Sequence, residues 1–266
     1  MKSNMPMRLR TLLPALLLFL STFLPGETRD KTSRHFRMLA VGEAPPFRQE
    51  IRDGVRYELE PPPGSLPPPV VFPDGGAKSG NAVDLRLGMI TERVKVPQGA
   101  APLVLRRERG GRAPGDWLKA TMPETGDFLI YLFRNPSMKT WDGAMGLVVP
   151  DGAGTPEGSL RITNLFPQAV RVVLGKEAIK LEKGGSILRR AEPGTELPFR
   201  ILAADSTGKM ICYYSGGVVQ NPGERGWVTI YRADGASPRR PLKVSILREP
   251  VTKEPEPENK DKKKTQ

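Results

Sequence analysis

Histidine and cysteine are almost missing: the 266 residues hold one of each, His35 and Cys212. That scarcity removes much chemistry. A Ser-His-Asp triad, a Cys-His dyad or a histidine-based zinc site needs a histidine placed within the fold, and His35 stands in a lead-in before the first strand-like run. A blue-copper centre needs two histidines and a cysteine, more than this chain holds. A lone cysteine forms no internal disulfide, and Cys212, set in an apolar run, reads as a buried small hydrophobe. The phosphate-binding pattern GxxxxGK[ST] and the Asp-x-Asp-x-Asp calcium loop are also missing. The expectation is therefore a protein without metal or cofactor, and not an enzyme.

Long hydrophobic runs are lacking as well. The longest, Leu12–Leu24 (LLPALLLFLSTFL), is too short to cross a bilayer comfortably. Preceded by Lys2, Arg8 and Arg10, it has the form of a signal-peptide core. Residues 1–26 are read as a signal peptide, and no membrane span is expected once it is removed. Export without disulfides points to a periplasmic or extracellular protein of a bacterial envelope. The formal charge of +12 favours acidic partners; export argues against nucleic acid and leaves an envelope protein or an acidic polysaccharide.

Glycine and proline are abundant instead, 28 of each, clustered between short apolar runs. No convincing ten-residue helical period occurs, and strands of four to six residues with Gly-rich turns indicate an all-β protein. Gly126–Gly152 and Gly208–Gly235 each open on Gly, run through apolar and aromatic residues, contain Asn-Pro and close on Asp-Gly. Both are read as hairpins of two related modules. The expected organisation is two tandem Ig-like or cupredoxin-like β-sandwiches, at 36–152 and 159–249. A flexible lead-in (27–35), a linker (153–158) and a disordered charged tail (250–266) complete the chain. In the first module, the alternation of Gly54–Glu60 would put Val55, Tyr57 and Leu59 on one face of a strand. Pro61–Pro73, with seven prolines in thirteen residues, would form a loop.

Two surfaces stand out. The Gly-rich loop around Arg106, Arg107, Arg109 and Arg112 is the densest basic patch of the body, and arginine pairs well with carboxylate or phosphate. In a strand, Trp227, Thr229 and Tyr231 share one face and Val228 and Ile230 the other. With the latter inside, Trp227 and Tyr231 would form an exposed pair suited to stacking, as could Trp141. The expected function is binding or scaffolding through the sandwich surfaces, with anionic-glycan binding through the basic loop and aromatics as the alternative. A carboxylate-based hydrolase ranks lower: Asp53, Asp74, Asp142, Asp151 and Asp234 each precede a glycine, where turn formation accounts for them.

Overall fold

The computed structural model describes residues 34–74, 81–96, 102–109, 116–138, 140–190, 192–234 and 238–251. The proposed signal peptide and nearly all of the proposed tail lie outside these residues. The described residues are all-β and fall in one compact unit.

In the first part of the chain, alternating apolar side chains produce β1 (His35–Val41), β4 (Val70–Asp74), β5 (Val83–Asp84), β6 (Val94–Lys95), β7 (Leu103–Arg106), β8 (Leu118–Ala120), β9 (Phe128–Arg134) and β10 (Ala144–Pro150). A separate hairpin, β2 (Gln49–Arg52) and β3 (Val55–Glu58), interrupts them. The eight strands form two sheets, ordered β10-β9-β1-β6 and β5-β4-β7-β8. The second part supplies β11 (Ser159–Asn164), β12 (Val170–Leu174), β13 (Glu177–Leu181), β14 (Ser186–Arg190), β15 (Glu196–Ala204), β16 (Met210–Val219), β17 (Glu224–Arg232) and β18 (Leu242–Pro250). Its sheets are ordered β14-β11-β17-β18 and β13-β12-β15-β16. Counted without the β2–β3 hairpin, the strand order of the two halves is the same. In each half the first strand runs parallel to the seventh, β1 beside β9 and β11 beside β17.

Three apolar layers separate these four sheets. Phe36, Met38, Phe128 and Ile130 meet Val71, Leu103, Leu105 and Leu118 inside the first sandwich. Leu160, Ile162, Val228 and Ile230 meet Val172, Phe199 and Ile201 inside the second. Leu39, Val41, Leu129, Tyr131, Val149, Leu165 and Trp227 form the third layer, between the sandwiches. The inner strands are therefore buried on both faces, and β11 is buried throughout. At about 1.5–3 kcal/mol per fully buried large apolar side chain, this middle layer holds the sandwiches together.

Several sequence expectations need correction. Gly208–Gly235 is not a hairpin: β16 pairs with β15, whereas β17 pairs with β11 and β18 in the opposite sheet. The glycine- and proline-rich middle carries the chain across the sandwich. Gly126–Gly152 does fold back, β9 against β10. By strand order β9 corresponds to β17, not β16, so the noted likeness is out of register. Trp227 is fully buried, because the neighbouring sandwich covers the face opposite Val228 and Ile230. Trp141 is also buried, in the first core. Cys212 is exposed: it sits opposite Leu202 beyond a β-bulge that re-aims the β16 side chains. Val55 and Tyr57 are exposed on the β2–β3 hairpin, where no second layer covers them. Strand β4 runs through Pro73, pairing only with β7 there and only with β5 at Val70 and Val71, so the missing N–H falls on an unpaired side. His35 opens β1, its backbone N–H bound to Asp127 Oδ1 at 2.8 Å.

The expected linker is built rather than loose. Asp151 caps a short 3-10 turn, Gly152–Gly154, and is buried at one end of the middle layer. Arg37 grips it through two bonds, Nε to Oδ2 at 2.7 Å and Nη2 to Oδ1 at 2.9 Å. Arg37 also holds Glu249 at 2.8 and 2.9 Å. Arg225 bridges the same acids, with Nη1 3.0 Å from Asp151 Oδ1 and Nε bound to Glu249. Both guanidinium groups lie near the Trp227 ring, 5.9 and 5.5 Å from its centroid. Burial alone would raise the Asp151 carboxyl, but the hydrogen bond and charge of Arg37 and the charge of Arg225 leave it below the ordinary carboxylate value. A depressed folded value means that the contribution is complete above the unfolded carboxylate pKa of about 4 and is lost as pH falls through the folded value. Asp151→Asn is expected to destabilise the protein by about 3–5 kcal/mol at neutral pH. Denaturant unfolding from neutral pH down to about 2.5 should show the gap to wild type narrowing below about 4; a gap of constant size would contradict this role for Asp151.

Candidate functional site: a cleft between the sandwiches

At the opposite end of the middle layer, the strand ends and loops enclose a cleft of about 470 Å³, within the size range of small-molecule sites. The first sandwich contributes Val41 and Gly42 from the end of β1, and Phe133, Ser137, Met138 and Met145 from the β9–β10 hairpin. The second contributes Leu165 and Pro167 after β11, Lys183 from the β13–β14 turn, and Tyr231 to Asp234 at the end of β17. The inner part is apolar because Val41, Leu165 and Tyr231 continue the middle layer.

Buried Asn164 builds one wall. Its Nδ2 donates to the carbonyls of Gln168 (2.9 Å), Leu181 (3.0 Å) and Glu182 (3.2 Å), while Oδ1 accepts from Phe166 N–H at 3.0 Å. One side chain thereby ties the Leu165–Pro167 loop to the turn that carries Lys183. The far rim is a reciprocal clamp between the sandwiches. Glu43 N–H donates to Asp234 Oδ2 and Asp234 N–H to Glu43 Oε2, both at 2.8 Å. Arg134 pairs with Asp234, and Lys243 Nζ lies 3.1 Å from Glu43 Oε1. Gly42 leaves room for this clamp, since a Cβ there would stand 3.2 Å from Asp234 Oδ2.

The cleft's acid is thus engaged, whereas exposed Lys183 and Arg232 make no ion pair with a described residue. Beside the cleft, a second hollow of about 500 Å³ adds Arg239 and Arg240, which are likewise without an ion pair among the described residues. Burial, then the Glu43 and Asp234 charges, raises the Tyr231 hydroxyl above its ordinary value, so it stays a neutral hydrogen-bond donor.

Of the described residues singled out from sequence, Tyr231 and Asp234 lie on this cleft. Arg106 pairs with Asp74 (2.8 Å) and Asp116 (3.7 Å), and Arg107 with Asp142 (3.0 Å). These two arginines brace the first sandwich; Arg109 is exposed and Arg112 lies outside the described residues. Trp141 and Trp227, being buried, offer no stacking surface. Arg107 Nη2 does reach the Trp141 carbonyl, at 3.1 Å, while the Trp141 ring is buried in the first core. Lys183, Arg232 and Asn164 carried no local signal, because distant turns bring them together. Asp151 and Glu249 converge, but two guanidinium groups occupy them, and no group of three or more His, Cys, Asp or Glu suited to a metal occurs among the described residues. No helix of the described residues is long and apolar enough to cross a membrane. No family profile matches the chain, and no curated protein matches it in sequence.

Replacing Asn164 by Asp removes the amide donor and sets a carboxylate against three carbonyls. Asn164→Asp is expected to cost at least about 2 kcal/mol in denaturant unfolding, more than Asn164→Ala. Equal losses would show that the three carbonyl bonds do not set the wall.

Proposed function

We propose that the chain is an exported, non-enzymatic binding protein of a bacterial cell envelope, built of two tandem sandwiches of Ig-like or cupredoxin-like type. Its partner enters the cleft at the junction of the sandwiches. The observation that supports this reading is the cleft itself: apolar inside, carrying Lys183 and Arg232, which no described carboxylate neutralises, and walled by both sandwiches. The reading takes residues 1–26 as an export signal. The first described residues and Val251 lie at the other end of the middle layer, beside the Asp151 network.

Capture from the detergent-solubilised envelope of the host, with the full chain as bait, tests this. Ser137 is exposed on the cleft wall, so Ser137→Trp should fill the space without altering the core. Envelope material retained by the wild type and lost with Ser137→Trp is the expected result. Identical capture by both proteins would remove the cleft from the function.

A further inference from the structure

Resting on the reading of the cleft as the binding site, we propose that its occupant is an anionic amphiphile: a single acyl-type chain ending in a carboxylate or phosphate. The chain would lie against Phe133, Met138, Met145, Leu165 and Tyr231, and the head group would meet Lys183 and Arg232. Charge selects this occupant. Among the described residues, Arg134, Lys183 and Arg232 are the cations of the lining and Asp234 its acid, and Arg134 already engages Asp234. An apolar ligand with a cationic head would leave Lys183 and Arg232 facing a like charge. A neutral one would leave them unused, and a fully polar polymer would strip water from the apolar wall without replacing it. The walls also suit a flexible chain: Met138 and Met145 are unbranched and polarisable, filling irregular space as a chain bends. The head group has two cations within one rim, so charge-assisted bonds can form while the head stays partly hydrated.

The test uses the full chain with decanoate, decyl phosphate and decan-1-ol in calorimetry at low and high salt. The two anions should bind the wild type more tightly than the alcohol and weaken as salt rises. Lys183→Ala/Arg232→Ala, both on exposed side chains, should weaken the anions by at least about tenfold and leave the alcohol unchanged. Ser137→Trp should abolish binding of all three. Flotation with phosphatidylglycerol and phosphatidylcholine vesicles distinguishes the source. Binding to the anionic vesicles that both variants lose assigns the head group to a lipid, whereas free amphiphile binding without flotation assigns a monomeric acyl anion. Absence of decanoate binding, or decanoate binding that neither variant changes, overturns the proposal. So does a salt-sensitive acidic peptide that needs the rim cations and displaces no acyl chain. If amphiphiles fail while capture still depends on Ser137, the ligand class is wrong and the cleft reading stands.

Discussion

The central strands of the two inner sheets are buried on both faces, and the rest of the molecule follows from accommodating that. A strand with one wet face can place its charges there. Where strands β1, β9, β11 and β17 run along the middle layer they have no such face, so a side chain buried there must be apolar or find its polar partners inside the protein. Arg37 and Arg225 meet this demand with Asp151 and Glu249, two charges of each sign. Arg161 meets it differently: its Nε donates to Thr155 Oγ1 at 2.7 Å and its Nη2 to the Gly154 carbonyl. Burial still draws the Arg161 guanidinium below its ordinary value. The match is incomplete: the Tyr131 hydroxyl, buried near Thr163 and Thr229, has no well-aligned bond, and neither have Trp227 Nε1 and Thr229 Oγ1 on β17. Such a network adds little net stability relative to an apolar equivalent. What it does is fix one relative placement of the sandwiches, because either acid loses partners on both sides if they slide.

That placement sets the cleft. The two ends of the middle layer are closed by different means: the Asp151 network at one, the Glu43–Asp234 clamp at the other. Between the clamp and the apolar layer the loops after β9 and β11 stand apart. The polar contacts across the junction therefore hold open a space that apolar burial alone would favour closing.

Much of the architecture was legible in the sequence, because alternation in β12 and β17 reports directly which side chains share a face. Alternation cannot say how many faces are covered. Trp227 shows the limit: its strand carries Val228 and Ile230 on one side and Trp227, Thr229 and Tyr231 on the other, and choosing one side as core assumes the other is wet. Both are core. The same limit, reversed, applies to Val55 and Tyr57, whose alternation belongs to a hairpin that nothing covers. Pairing is equally hidden. The segment Gly208–Gly235 has the turn residues of a hairpin, yet its strands separate into opposite sheets, a choice made by β11 and β15 rather than by the turn. Pro73 and Cys212 depart from expectation for still more local reasons, a partner that stops short and a bulge.

The arginine excess was visible from composition, but its division was not. Asp74, Asp142, Asp151 and Asp234 look like turn residues, and each also receives a guanidinium from a residue far away in sequence. Most of the buried or half-buried cations are thereby given a structural partner. Lys183 and Arg232 remain exposed beside an apolar cleft, on turns and strand ends where neither packing nor pairing requires a positive charge. It is the placement of these two charges at the cleft, rather than the protein's overall charge, that gives the cleft its sign.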